Sequence, residues 1–274
     1  LIGAVAAEKV MAVTLELGGK SPNIVFEDAN LQAALMGVLM GFVGNSGQVC
    51  LAGSRVLIQR SIYEKFSTML ANTIAGIPVG LDKPFPSLGP MGNKDQYEKV
   101  QSYFEIAKQD GATLLAGGEK AESENLGKGF YLKPTLYGDV NNSMRIAQEE
   151  IFGPALLVLP YDSLDDAINY VNDRDRPLAL YYFGFDVAKQ QRILHETHSG
   201  GVVFNEVMFH VAVDDLPFGG VGPSGMGHYH GKEGFLTLSK PKAVLYKPRF
   251  NGMKTLYPPY KNAMVDKLFN WLLR

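Results

Sequence analysis

Short apolar, strand-like runs alternate with amphipathic helical segments along most of this chain, and that alternation constrains its fold more than any other feature. Leu31, Ala34, Leu35, Val38, Leu39 and Phe42 recur at helical spacing. This predicts a helix with one buried face, behind an N-cap at Asp28. Ser61-x-x-Glu64 reads as a capping box, followed by Phe66, Leu70 and Ile74 on one face. Further helices fit residues 94–109, ended by Gly111, then 163–172 and 187–196. Between them lie runs rich in apolar and β-branched residues at 23–26, 55–59, 112–115, 155–159, 180–185 and 201–204. Strand alternating with helix predicts an α/β fold, a mostly parallel sheet with flanking helices, plus a C-terminal extension. The stretch 117–129, rich in Glu, Lys, Ser and Gly, reads as a mobile surface loop.

Composition narrows the function classes. The 274 residues are 46% hydrophobic and 20% charged, enough to bury the core of one or two domains. A net charge of −2 with no basic block offers nothing to nucleic acid or to an anionic membrane. The single cysteine excludes an internal disulfide and suits a reducing compartment. Residues 1–7 are apolar but lack a basic leader and a cleavage pattern, and no apolar run approaches a bilayer's thickness. A soluble, cytoplasmic chain without nucleic-acid or membrane partners is expected.

That cysteine, Cys50, ends the glycine-flanked run Gly47-Gln48-Val49-Cys50, and Glu16 lies 34 residues upstream. A thiolate attacks carbonyl carbon well, and a carboxylate can activate water against the resulting thioester. The competing account of Cys50 is a small buried hydrophobe, and that of Glu16 is an exposed acid at a strand edge.

Four motifs in order carry a resemblance. They are Glu16 in Leu15-Glu16-Leu17-Gly18-Gly19-Lys20-Ser21-Pro22, Cys50 in Asn45-Ser46-Gly47-Gln48-Val49-Cys50, Glu149-Glu150-Ile151-Phe152-Gly153-Pro154, and Leu216-Pro217-Phe218-Gly219-Gly220-Val221-Gly222. Together they resemble the aldehyde dehydrogenase superfamily. Ser224-Gly225-Met226-Gly227-His228-Tyr229-His230-Gly231-Lys232 is similar to its class 3 branch, and the ending Tyr257-Pro258-Pro259-Tyr260 to the members that oxidise coniferyl aldehyde. The resemblance implies that residues 1–17 close a nucleotide-binding domain whose bulk lies outside this chain. It makes 18–204 the catalytic domain and 205–274 an active-site loop, bridging segment and oligomerisation tail. It further implies NAD(P)-dependent oxidation of an aldehyde, coniferyl or another aromatic or medium-chain one, with Cys50 as nucleophile and Glu16 as the base for the hydrolytic water. Glu150 matches the residue that holds the nicotinamide ribose of NAD or NADP, and Phe152 the aromatic beside that ring. Asn205, Phe209 and Phe218 are candidates for the substrate pocket, although strand ending and core packing explain them equally. By analogy a homodimer is implied, built in part by a terminal helix from Ala263 to Leu272 with Leu268, Trp271 and Leu272 on its apolar stripe.

Other motifs are discounted on physical grounds. Gly19-Lys20-Ser21 echoes a P-loop, but Thr14 stands where that motif needs glycine. Gly220-x-Gly222-x-x-Gly225 matches a dinucleotide fingerprint by letter, yet Pro223 interrupts it and Leu245 replaces the acidic ribose partner. Tight backbone lining of a pocket is the reading for that loop. The pairs His195/His198 and His228/His230, with one cysteine in the chain, make a poor metal-ligand inventory, so no metal is expected. Two rival functions remain open: acyl transfer to coenzyme A, against which a hydrolytic base at Glu16 argues, and a non-catalytic dimerising module.

Overall fold

In the computed structural model, residues 1–81, 83–84, 86–122, 126–249, 257–258 and 263–274 are described. Leu1–Leu238 forms one unit and Ser239–Arg274 a second. In chain order the first carries α1 (Ile2–Glu8), β1 (Leu15–Glu16), β2 (Pro22–Val25), α2 (Leu31–Val43), β3 (Arg55–Gln59), α3 (Tyr63–Ala75), α4 (Lys94–Asp110), β4 (Thr113–Ala116), β5 (Thr135–Gly138) and α5 (Arg145–Gln148). It continues with β6 (Ala155–Tyr161), α6 (Leu164–Asn172), β7 (Ala179–Phe183), α7 (Val187–Glu196), β8 (Gly201–Phe204), β9 (Gly225–Met226) and α8 (Gly231–Thr237). The second unit carries α9 (Ala263–Leu272). Pro259 and Tyr260 of the terminal motif, and residues 123–125 of the expected loop, lie outside the described residues.

The main sheet runs in the order β4-β5-β6-β3-β2-β7-β8. Its pairs are parallel except β4, which is antiparallel to β5. The mostly parallel α/β expectation is borne out. Helices cover both faces, so the central strands are mostly apolar, with Asn23 and Arg55 as buried polar exceptions near their starts. Side-chain alternation divides them between two cores. Val25, Val56, Ile58, Val158 and Tyr181 face the core that holds α2 and α3. Ile24, Leu57, Leu157, Leu159, Leu180 and Tyr182 face the one that holds α4 and α6.

Two expected caps are corrected. Asn30, not Asp28, caps α2: its side chain accepts from the Gln32 and Ala33 amides, both at 3.1 Å. Asp28 instead accepts from the Phe185 and Asp186 amides at 2.8 and 2.9 Å, tying the end of β2 to the start of α7. The Ser61–Glu64 box does not form. A 3₁₀ turn at Arg60–Ile62 leads into α3, and the Ser61 hydroxyl donates to Glu27 at 2.8 Å. Asn30→Ala is therefore expected to lower stability by about 1 kcal/mol in urea unfolding, whereas Asp28→Ala should leave the α2 cap intact.

Parallel register sets Pro22 beside Arg55, Arg55 beside Leu157 and Asn23 beside Tyr181. The loops entering β2, β3, β6 and β7 consequently share one edge of the sheet. Those loops carry Leu17 to Ser21, with Glu16 just before them in β1, then Cys50, Glu150 with Phe152, and Arg174 to Pro177.

Candidate active site

Cys50 is half-buried at the end of a strained turn. Asn45, Ser46 and Gly47 have φ of 48°, 57° and 71°, a left-handed run that side-chain-bearing residues adopt only when their surroundings impose it. The surroundings are visible. Ser46 donates to the Gly89 carbonyl at 3.0 Å, and the Asn45 and Gln48 amides each donate to the other's backbone oxygen. Gln48 also accepts from the Gly92 amide at 2.8 Å. Beyond the cysteine, the Tyr181 hydroxyl donates to the Leu51 carbonyl at 2.7 Å, and Asn23 donates to the Gly53 carbonyl at 2.7 Å. The thiol is thus held from both sides by elements far away in sequence.

Glu16 is placed by the small antiparallel pair β1–β9, in which Glu16 faces Gly225 and the Leu17 amide donates to the Ser224 carbonyl at 3.1 Å. The glycine-rich loop therefore serves as a cradle. Its Gly220 amide favours the charged form of the Glu16 carboxylate. The side chain keeps a solvent-exposed surface, as a base for water requires. Even so, desolvation raises its pKa, against the Gly220 amide and the charges of His228 and His230. Burial also raises the pKa of Cys50, and the charge of Glu16 raises it further, while the Cys50 and Leu51 amides counter in part. One negative charge is favoured over two in this pair. Alkylation of Cys50 by iodoacetamide, followed as intact mass across pH, is expected to inflect above the ordinary thiol value of about 8.5. Glu16→Gln should move the inflection down by removing a negative neighbour; an unmoved inflection would deny the coupling.

Glu149 and Glu150 are adjacent but differently employed. Glu149 is bound by Arg145 through two 3.0 Å contacts and by the Tyr103 hydroxyl at 2.7 Å, which hold its pKa down. Glu150 turns toward β2. Its carboxylate fills the space a Cβ on Gly18 would need, near enough to the Gly19 amide to be stabilised by it, while its Oε1 is buried without a hydrogen-bond partner. Burial raises its pKa. Phe152 has φ 58°, and Gln96 pins its backbone by donating to the Ile151 and Phe152 carbonyls at 3.0 and 2.8 Å.

The three pocket candidates are scattered in role. Asn205 has φ 58° and uses its side chain on Gly184, accepting from its amide at 2.9 Å and donating to its carbonyl at 3.1 Å. Phe218 is buried among the rings of His210, Tyr229 and His230, at 5.6, 5.4 and 5.9 Å. Phe209 lies on an exposed 3₁₀ turn, 55% accessible. Sequence reasoning missed Tyr181, Asn23 and Gly220 as supports. A buried tyrosine hydroxyl needs a partner, but nothing local in the sequence names Leu51 as that partner.

The aldehyde dehydrogenase family model matches residues 1–244. The chain belongs to the aldehyde dehydrogenase family. The expectation from its four motifs is borne out. A probable coniferyl aldehyde dehydrogenase of Pseudomonas aeruginosa is 47% identical over 96% of this chain and 55% of its own length. Aldehyde dehydrogenase family 3 member A2 of Pongo abelii is 36% identical over 95% of this chain and 52% of its own length. These relatives agree with the class 3 and coniferyl resemblance. Among solved aldehyde dehydrogenases, the NAD+ complex from Bacillus cereus superposes with a TM-score of 0.81 at 37% identity, covering 87% of this chain and 48% of that one. The betaine aldehyde dehydrogenase of Staphylococcus aureus, also with NAD+, gives 0.81 at 37% identity, covering 85% and 46%. The chain spans about half the length of the curated aldehyde dehydrogenases it matches.

Proposed function

We propose that the residues gathered at this edge carry NAD(P)-dependent oxidation of an aldehyde to its carboxylic acid. The coupled pair carries the reading: Cys50 and Glu16 lie in each other's field, and each has its pKa raised by burial. A thiol beside a carboxylate of enhanced basicity can be deprotonated when a carbonyl arrives. Sγ then adds to the carbonyl carbon, and the backbone amides of Cys50 and Leu51, which favour negative charge on the sulfur, are the donors for the new oxyanion. When bound, the nicotinamide supplies the hydride acceptor, so that the cysteine is left as a thioester. Once the proton it took from the thiol has passed to solvent, Glu16 takes a proton from water, the oxygen attacks the acyl carbon, and Sγ leaves as thiolate.

Glu150 and Phe152 fit the ribose side of such a cofactor. The orphaned Oε1 of Glu150 is an acceptor in want of a hydroxyl donor, and Gly18 has no Cβ to push that carboxylate out of place. The solved relatives in complex with NAD+ support the cofactor class, with NAD and NADP both admitted. Relatives named for coniferyl aldehyde support an aromatic aldehyde as substrate. The apolar side of α9, with Leu268 and Trp271, supports association into a homodimer.

The test is Glu16→Gln in the protein that carries this chain. Intact mass after mixing with aldehyde and cofactor should show an acyl adduct on Cys50 that deacylates about 10²–10⁴-fold more slowly. Unchanged steady-state turnover would remove Glu16 from the role of base. Acyl-CoA formation in preference to acid would move the protein to the acyl-transfer class.

A further inference from the structure

Lys20 lies in the same motif as Glu16, yet the chemistry above makes no use of it. Its side chain is 6% exposed, and Nζ is buried with no hydrogen-bond partner. Arg55, 2% exposed, donates Nε and Nη2 to the Lys20 carbonyl at 3.1 and 2.8 Å, so two cationic side chains share one dry region. A site built for packing alone is served better by an apolar side chain, because an unpaired buried charge is costly. Lys20 borders a cavity of about 370 Å³ that also touches Gly18, Glu150 and the turn Arg174–Asp175–Arg176. Two more atoms of that lining are buried without hydrogen-bond partners: Glu150 Oε1 and Arg174 Nε.

The charges around the amine are unequal. Burial, then Arg55, lowers the Lys20 pKa to about 7, with Lys99 acting in the same direction. Glu150 and Glu149 act in the opposite direction. Glu149 is already engaged by Arg145 and Tyr103, which leaves Glu150 as the carboxylate with an unfilled acceptor. The proton on Lys20 therefore comes off at about 7, far below the usual lysine value of about 10.4; its charge acts on Glu150 beside that of Lys99, which acts on Glu150 more strongly and donates Nζ to the Glu150 carbonyl at 3.2 Å.

We propose that Lys20 is a positioning residue for Glu150: its ammonium draws the carboxylate into the shared cavity, and its neutral amine leaves the carboxylate on the Gly18–Gly19 backbone to accept from a hydroxylated ligand. The consequence for ligand binding rests on the reading of Glu150 given above; the coupling between the two side chains does not.

The coupling is measured on this chain alone. With ¹³C-labelled glutamate and the Glu150 carboxyl resonance assigned through Glu150→Gln, the native chain should show an inflection near pH 7. Lys20→Met should abolish it, and Lys20→Arg, which keeps the charge but does not titrate there, should do the same. An inflection that survives either substitution overturns the proposal. The reciprocal measurement needs no change at Lys20: its ¹³Cε titration should move to lower pH in Glu150→Gln, and an unmoved titration overturns the proposal equally. Calorimetry with NAD on the protein that carries this chain, which supplies the rest of the nucleotide site, separates the two claims. Coupling without NAD binding at any pH removes Glu150 as the cofactor acceptor and leaves the proposal standing. NAD binding without coupling does the reverse.

Discussion

Cys50→Ala is expected to abolish aldehyde oxidation in the protein that carries this chain, with kcat falling on the order of 10⁶-fold, the scale set by loss of a nucleophile elsewhere. The size of the effect follows from the covalent route, because no second thiol exists in the chain to form the thioester. Half-burial of the side chain makes the swap mild for folding, since alanine leaves only the small volume of one sulfur. Stability in urea should therefore move little while the acyl adduct disappears from the mass spectrum. Retained turnover would assign the chemistry to another residue. Cys50→Ser is the sharper companion: a hydroxyl is the poorer nucleophile at neutral pH, so it should share the loss while preserving shape.

The second large effect is structural. Gly47→Ala is expected to destabilise the chain by about 2–4 kcal/mol, by adding a strained left-handed alanine to an overpacked contact. At φ 71° a Cβ is disfavoured wherever it points, and here it would collide with the Gly153 carbonyl. Gly153 follows Phe152, and its own Cβ position is closed by the Val100 side chain, so the backbone there cannot retreat easily. The clash thus connects the loop before Cys50 with the loop after Glu150. A lowered midpoint in urea and a changed alkylation rate of Cys50 should appear together. A stable variant with native reactivity would show that these two loops do not brace each other.

Elements fixed by short-range patterns were legible. The helix at Val187–Glu196 and the strands at Arg55–Gln59 and Gly201–Phe204 have the bounds that periodicity and turn residues predict. Gly111 ends α4 in the left-handed conformation, with φ 84°. Ser163 forms a true capping box with Asp166. The failures have identifiable causes as well. Asp28 and Asn30 are both good caps by type, and the choice between them fell to the distant Phe185 and Asp186 amides that claim Asp28. Strand β5, only four residues directly after Pro134 and paired with β4 across a bulge, is too short for a period to show.

By itself the sequence determined the alternation of elements, the mostly parallel α/β class and the family, because side-chain period and motif order are properties of neighbouring residues. It named Cys50, Glu16 and Glu150 as chemistry-bearing types. Only the tertiary structure decided their electrostatic states. Raised pKa values at Cys50 and Glu16, the amine of Lys20 held near neutrality, and the unfilled acceptor of Glu150 arise from burial and from charges brought across strands. Desolvation and Coulomb interaction depend on distance through space, and the parallel register of β2, β3, β6 and β7 fixes those distances at the edge where their entering loops meet.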